Sequence, residues 1–380
     1  MLRAMLRLCT TFALLLVMAC SPAGAANPRK GQNPSAGATK KPAAGKKGRP
    51  TPPLRPEVER REGFGAGTRG GEGGRVINVE ESSEAGVKLA LQRANKTGGV
   101  IVRFPENATI AIRGMLPRLT ASNVTIDGNG ATLDGVAMVK EVALLDVRGH
   151  DVIVRDLRFR NGYDNLRIQG DDAHDIFVTH VSSSGSRDDG ISIGYGAHDV
   201  TVQWSFLAGN TRSIFCKYGD TTDISLHHLW IQKGWIRSPI FSGHIRADVR
   251  NIIVEDWGEW GTRFEDGATG NVVGSLFNLS PYAVSVGAKG DSALRFMNAG
   301  PVFTDRNVFR GEAKAPIQPS GATKPIDAPE VLTHDVDSME DIVRSGAGCM
   351  PRDAIDRAYI ATRDGWYVHD GHPLNVSGSR

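Results

Sequence analysis

The sequence has few cysteines, little net charge and no apolar run that fits a membrane span. Four cysteines occur in 380 residues, and two of them, Cys9 and Cys20, fall near the N-terminus. The remaining pair, Cys216 and Cys349, cannot form a disulfide framework, and the sequence does not show whether the two meet. The net charge of +3 is too weak to indicate a nucleic-acid partner. The apolar stretch from Phe12 to Ala19 is too short to cross a bilayer.

The first 61 residues indicate export rather than a folded domain. Residues 1–25 combine early arginines, an apolar stretch and the small residues Ala23–Ala25, which is typical of a secretory signal peptide. Val17–Cys20 also resembles a bacterial lipobox, in which Cys20 is lipidated and the protein becomes an outer-membrane lipoprotein. Residues 26–61 are rich in Pro, Gly and Lys and are predicted to be a disordered basic linker, either merely solvated or attracted to polyanions. We therefore expect a secreted or extracytoplasmic protein.

A repeat of fixed length dominates the middle of the chain. An Asp followed by Val or Ile opens an apolar run four times, 24 residues apart, at Asp151, Asp175, Asp199 and Asp223. Weaker copies are found upstream and downstream, at Asn123, Asp248 and Asn271. A period of this length indicates a repeat architecture, and we interpret the recurring Asp as a turn residue at the corner of each repeat.

Within each copy, apolar residues alternate, as in Val152-x-Val154 and Ile176-x-Val178, which is the period of a β-strand. Each repeat is thus one coil of short strands, and stacked coils form a continuous core. The dense Leu pattern of a leucine-rich solenoid is missing, and a propeller blade needs about 40 residues. The sequence therefore predicts an all-β parallel β-helix. A short helix at 83–95 is predicted to cap it, while 338–359 covers the other end or folds back along the side.

Several segments, in collinear order from about Gly63 to about Ile360, resemble the pectate lyases of polysaccharide lyase family 1. They are Gly63–Ala66, Gly70–Val76, Asp151–Arg160, Val200–Trp204, His227–His228, Arg237–Pro239 and Arg344–Asp356, the last being similar to one bacterial branch of the family. The resemblance implies a right-handed parallel β-helix catalytic domain over 62–312, with a C-terminal extension over 313–380. It also implies Ca²⁺-assisted β-elimination on polygalacturonate by an enzyme that acts as a monomer.

The resemblance also implies a calcium site made of carboxylates. Asp164 corresponds to a family calcium ligand and Asp188 to an acidic ligand one coil later, with Asp189 beside it; the other interpretation of each is a solvated turn. Ser192 stands where better-known members have a further Asp. Carboxylate oxygens suit Ca²⁺, which is a hard cation. The paired histidines His227–His228 are mostly structural in the family, and we do not expect them to bind a metal.

Arg237 matches the family arginine that is assigned as the proton-abstracting base. A guanidinium is almost always protonated, so either the site favours its neutral form or Arg237 stabilises developing negative charge; the other interpretation is a loop brace. Arg212 falls where the family has a substrate-binding Lys, and Lys217 is a further candidate cation for substrate. Ser242 replaces a second family arginine, for which we expect Arg246 to substitute.

Two other functions remain open at this point. One is a lyase, or a hydrolase, that acts on another uronate polysaccharide or on pectin; a hydrolase needs two carboxylates flanking the bond. The other is a non-catalytic β-helix that binds acidic glycans at the cell surface. Arg237 together with the carboxylates Asp164, Asp188 and Asp189 discriminates between catalysis and binding, since only elimination requires that arrangement.

Overall fold

A computed structural model describes residues 60–285, 287–288, 293–316, 321–361, 366–369 and 372–375. The predicted signal peptide, the candidate lipidation site Cys20 and nearly all of the predicted linker lie outside the described residues. Three sheets of parallel strands, here called A, B and C, form the body of the described chain. Successive strands of one sheet come from successive coils, so the predicted parallel β-helix is confirmed.

Sheet A has ten described strands, in stacking order Arg75–Asn78, Val100–Arg103, Val124–Asp127, Val152–Arg155, His174–Thr179, His198–Gln203, Ile224–His227, Arg246–Arg250, Thr269–Val273 and Val302–Asp305. Sheet B has nine, which are Thr109–Ala111, Thr132–Asp134, Arg158–Arg160, Ser182–Ser184, Phe206–Ala208, Trp230–Gln232, Ile253–Glu255, Leu276–Leu279 and Val308–Gly311. Sheet C has seven, which are Ala143–Val147, Asp164–Gln169, Asp189–Gly194, Arg212–Lys217, Ile240–Ser242, Thr262–Glu265 and Leu294–Met297. Trp366–His369 and His372–Asn375 form a separate antiparallel pair.

The repeat sets the register of the stack. Val152, Ile176, Val200 and Ile224 pair in order across four strands of sheet A, and all four are fully buried. Each such side chain contributes about 1.5–3 kcal/mol by leaving water. Because the same apolar position recurs in every coil, the inward-facing residues of the three sheets merge into one core.

The four aspartates of the 24-residue repeat lie at the turn into sheet A, as predicted: Asp151 and Asp223 immediately precede their strands, and Asp175 and Asp199 are the second residues of theirs. Asp151, Asp175 and Asp199 have φ of 51°, and Asp223 has φ of 55°. Asp tolerates this left-handed conformation better than most residues because its short polar side chain bonds to nearby backbone.

The two downstream copies of the motif are not at corners, which corrects the sequence interpretation. Asp248 pairs with Ser225 inside sheet A, and Asn271 pairs with Asp248. The coil after Asp223 contains 23 residues instead of 24, so the position equivalent to Asp223 is Arg246. The sequence motif continues, but it has shifted two residues into the strand.

Four helices accompany the sheets in the described part of the chain: α1, Glu84–Thr97; α2, Pro281–Ser285; α3, Val336–Gly346; and α4, Ala354–Ala361, with a short 3₁₀ turn at Phe64–Gly67. Helix α1 is the predicted cap, and the Ser83 side chain accepts a hydrogen bond from the Gly86 N–H at its start. Its buried face covers the first strands of sheet A. None of the helices described has the length and apolar character needed to cross a membrane.

The C-terminal region folds back along the side of the stack. Met339 and Val343 of α3 join a core with Phe206, Trp230 and Ile253 of sheet B. The tail predicted to pack on the solenoid is therefore confirmed, on the side and not at the end. Cys216 and Cys349 are both buried and free, so the pairing left open by the sequence does not occur.

The N-terminal segment, residues 62–71, lies across the outer face of sheet A. Backbone N–H groups of Phe64 and Gly65 donate to the hydroxyls of Ser225 and Thr201, at 3.0 and 2.9 Å. Gly71 N–H donates to another hydroxyl of the same face, at 3.0 Å. A Cβ at Gly65 would lie 2.4 Å from a backbone oxygen of sheet A, so only glycine permits this approach.

His227 and His228 hold the N-terminal segment in place through a chain of hydrogen bonds. The Asn251 amide donates to Nε2 of His228 at 3.3 Å, so the hydrogen of that ring is on Nδ1. Nδ1 of His228 therefore donates to Nδ1 of His227, and these two nitrogens are 2.9 Å apart. The hydrogen of the His227 ring is then on Nε2, which lies 3.4 Å from the backbone oxygen of Glu62. Both rings must be neutral for this chain to form.

We predict that acid weakens the fold through these rings. Burial lowers the pKa of His227 from 6.5 to about 4. Between these two pH values the unfolded chain binds a proton at this ring and the folded chain does not. The free energy of unfolding should fall as pH drops from 6.5, by roughly 1.4 kcal/mol per pH unit for each such ring. Urea unfolding in the upper half of this window would measure the slope.

The matched variants are His227→Gln and Ser225→Ala. The first removes one buried ring and should reduce the slope, while the second removes a hydroxyl that receives the N-terminal segment but no titrating group, and should keep the wild-type slope. Equal slopes in the wild type and His227→Gln would contradict the prediction.

Candidate functional site

Three aspartates meet at one edge of sheet C. Asp164 and Asp189 are the first residues of consecutive strands, and Asp188 immediately precedes the second strand. Carboxylate oxygens of all three lie within 4.8 Å of one another, and Asp164 and Asp189 are buried. The structure thus brings together the three residues that the sequence proposed for a cation.

Each of these carboxylates has its own arginine: Arg167 on Asp164, Arg212 on Asp188 and Arg237 on Asp189. Arg167 belongs to the same strand as its partner, whereas Arg212 begins the next strand of sheet C and Arg237 precedes the one after that. Three negative and three positive side chains are therefore brought together from four neighbouring coils.

The crowding of the carboxylates changes their acidity. Burial raises the pKa of Asp189 well above its usual value, and the charges of Asp164 and Asp188 raise it further, while Arg237 and Arg212 oppose this. Burial is also the main cause of the raised pKa of Asp164. The arginines therefore compensate only part of the cost of gathering three acids in a buried place.

Arg237 is held in a defined position. Its Nη1 donates to Oδ1 of Asp189 at 3.1 Å, and its guanidinium carbon lies 4.4 Å from the centre of the Phe215 ring. Its backbone has φ of 60°, which is uncommon for arginine, and its carbonyl accepts a hydrogen bond from Ile214 N–H at 2.8 Å. An aromatic face and a carboxylate together fix the orientation of this cation.

Arg212 keeps a free donor. One of its Nη groups bonds to Asp188, while its Nε–H is buried and has no partner in the described part of the chain. Such an unpaired donor costs free energy unless a ligand or water accepts from it.

The other two predicted substrate cations lie elsewhere. Lys217 ends the strand that Arg212 begins, and its Nζ lies 3.6 Å from Glu265 and 3.9 Å from Asp266. Arg246 is on sheet A, where it pairs with Asp223 and covers the Phe64 ring, 5.0 Å from its centre.

The structure does not bring Arg246 to the aspartates of sheet C. The coil that follows Asp223 is 23 residues long, and this length places Arg246 beside Asp223 at the corner of sheet A.

Sequence reasoning missed two residues of this site. Arg167 contacts Asp164, and Phe215 lies under Arg237. Both occupy the same row of sheet C, on either side of Ser192. Their alternation with the buried residues of each strand was a signal that their side chains leave the core, although alternation does not show what they contact.

A second group of candidate metal ligands is Glu62, His227 and His228. The hydrogen-bond chain described above already uses the ring nitrogens, and the Glu62 carboxylate accepts from Leu332 N–H at 3.3 Å. This group holds the N-terminal segment and the C-terminal region on sheet A, and it does not require an ion.

The three aspartates fit a hard divalent cation. All their ligand atoms are carboxylate oxygens, which Ca²⁺ prefers, and a bound cation relieves the mutual repulsion that raises the pKa of Asp189. A soft metal lacks its preferred ligands here, since neither Cys nor His belongs to this group.

The chain is similar to known pectate lyases in sequence and in fold, although no family model matches it. It is 29% identical over 231 residues to probable pectate lyase C of Emericella nidulans, a match that covers 58% of this chain and 52% of that one. The protein of the same name from Aspergillus flavus is 29% identical over 232 residues, with 58% and 54% covered. The chain thus spans about half the length of these relatives.

Among solved structures, a pectate lyase from Bacillus sp. N165 in complex with trigalacturonate superposes with a TM-score of 0.56. The match has 15% identity and covers 75% of this chain and 98% of that chain. At this level of identity the likeness supports the fold.

We predict that Arg237→Ala lowers stability because it leaves Asp189 without its partner beside two other acids. A loss of roughly 1–3 kcal/mol in the free energy of unfolding is expected from denaturant titration at neutral pH. Arg246→Ala, which removes the partner of the more exposed Asp223, should cost less than about 1 kcal/mol. A second change, Asp189→Asn, should restore part of the loss in Arg237→Ala; no restoration would show that Asp189 is not the cause.

Proposed function

We propose that the chain is a secreted pectate lyase that cleaves polygalacturonate by calcium-assisted β-elimination and releases 4,5-unsaturated oligogalacturonides. The observation that carries the proposal is the group of three carboxylates with Arg212 and Arg237 on neighbouring coils of one sheet. The similarity to pectate lyases in sequence and fold supports it. Export from the cytoplasm, either as a secreted protein or as a lipoprotein anchored at Cys20, belongs to the same proposal, as do membership of the bacterial branch and a monomeric state.

The reaction removes the proton at C5 of a uronate and expels the 4-O-glycosidic oxygen. Negative charge develops at C5, next to a carboxylate that is already negative. A site for this chemistry must therefore place fixed positive charge where the new charge appears. The cationic side chains gathered at the edge of sheet C meet that requirement.

Asp164, Asp188 and Asp189 are the residues that would hold Ca²⁺. When bound, Ca²⁺ supplies the positive charge that neutralises the substrate carboxylate beside C5. Arg212, with its unpartnered Nε–H, binds and orients an acidic group of the substrate. Lys217, at the other end of the same strand, contributes a cation for a neighbouring sugar.

Arg237 acts on the proton at C5 in one of two ways. As a base it must lose its own proton, which its bond to Asp189 opposes by favouring the charged form. As a cation it stabilises the negative charge that develops while another group accepts the proton. Phe215 and Asp189 hold the guanidinium in place for either role.

The test is the ultraviolet absorbance of unsaturated uronides released from polygalacturonate, with Ca²⁺ and with a chelator. The wild type should give a rise that the chelator abolishes, and Arg237→Ala should lower the rate at least about 100-fold. Arg246→Ala is the matched control and should keep the rate, because Arg246 lies on another sheet.

Each alternative predicts a different outcome of this assay. Activity on methylated pectin or another uronate polymer, but not on polygalacturonate, would assign a different substrate. New reducing ends without unsaturated product would indicate a hydrolase. Binding of acidic glycans without any product would indicate a non-catalytic protein. Full activity in Arg237→Ala would reject the role proposed for Arg237.

A further inference from the structure

Arg167 bonds to a carboxylate oxygen of Asp164 that a bound cation would need. Its Nε donates to Oδ2 of Asp164 at 2.7 Å, and its Nη2 donates to the same oxygen. The other oxygen, Oδ1, accepts the backbone N–H of Asp189 at 3.1 Å. Both oxygens of Asp164 are therefore engaged before any ion arrives.

The position of Arg167 is fixed by the sheet. It lies in the middle of the strand Asp164–Gln169, and its register neighbours are Asp146 and Ser192. Ser192 offers no charge to draw it away from Asp164. The side chain of Arg167 is 19% exposed and that of Asp164 is 5% exposed, so solvent screens the pair only weakly.

The three arginines differ in what else they can do. Arg212 and Arg237 have roles in the proposed reaction. Arg167 has none, yet it cancels the charge of Asp164. With all three arginines in place, the charges of the three carboxylates are balanced without an ion.

From these contacts we infer that Arg167 is an internal competitor of Ca²⁺ for Asp164 and sets the calcium affinity of the site. Binding of the ion requires that Arg167 release Oδ2, so part of the binding free energy is spent on breaking this pair. The inference rests on the proposed calcium site and adds a residue that tunes it. Removing Arg167 should strengthen calcium binding even though it removes a bond from a ligand.

The experiment measures calcium binding directly in the full chain. Arg167→Gln is titrated with Ca²⁺ by calorimetry, and with Tb³⁺ by luminescence that is sensitised by Tyr163, the residue before Asp164. The calcium dissociation constant of Arg167→Gln should be about ten-fold lower than that of the wild type. This is the effect of removing one nearby positive charge, which repels the cation, at the dielectric of a protein surface. Thermal unfolding of the ion-free proteins confirms that the variant is folded.

Two further variants sharpen the result. Arg103→Gln removes an arginine of sheet A, which pairs with Asp127, and it should leave the calcium affinity unchanged within about two-fold. Arg167→Lys keeps the charge but loses the fork that bonds Asp164, so its affinity should fall between those of the wild type and Arg167→Gln. If Arg167→Gln does not fold, Arg167→Lys still tests the inference.

The outcomes separate the inference from the proposed function. Calcium binding by the wild type with equal or weaker binding by Arg167→Gln, or by Arg167→Lys if only that variant folds, would overturn the inference and leave the lyase proposal intact. Binding only after Arg167 is replaced would support the inference in its strongest form. Absence of binding in every variant would overturn both the inference and the calcium site.

Discussion

The stacking of equivalent residues from one coil to the next is the constraint on which the rest of the structure depends. Backbone hydrogen bonds between parallel strands hold equivalent positions about 4.8 Å apart. An apolar residue is therefore placed on an apolar residue, as Ile176 is on Val152, and the core needs no other organising element. The same rule places Asp189 next to Asp164 and Arg212 next to Asp189, so polar groups that cost free energy to gather are brought together by the scaffold.

The candidate site balances two electrostatic demands. Carboxylates that are close enough to share a cation repel one another, and burial makes the repulsion stronger. Arginines on the same and neighbouring strands compensate part of this charge. Under the proposed calcium site they would also compete with the ion. The partners come from strands, or from residues next to strands, whose backbones are held by the stack, so these pairs form on a fixed scaffold.

Much of this was predictable from the sequence, because the coil is a one-dimensional repeat. The alternation of Val152-x-Val154 and the 24-residue spacing predicted the parallel β-helix and its corner aspartates, and the helical pattern at 83–95 predicted its cap. The gathering of Asp164 and Asp189 also follows from their spacing of one coil. The 23-residue coil after Asp223 was not predictable, because the motif at Asp248 continued to look like a corner. Contacts such as that of Arg167 with Asp164 depend on side-chain rotamers, which no periodicity encodes.

The N-terminal segment also bears on the order in which the chain folds. Its contacts join residues that are 54, 136 and 161 positions apart in the sequence, whereas coils contact neighbours only one repeat away. Closing such long loops costs more entropy than stacking the next coil. The segment therefore docks only after the five coils of sheet A that carry Thr125, Thr201 and Ser225 have stacked, since these three hydroxyls receive it. Once docked, the segment links coils that are distant from one another in the sequence. These coils assemble one at a time, but after docking they unfold together.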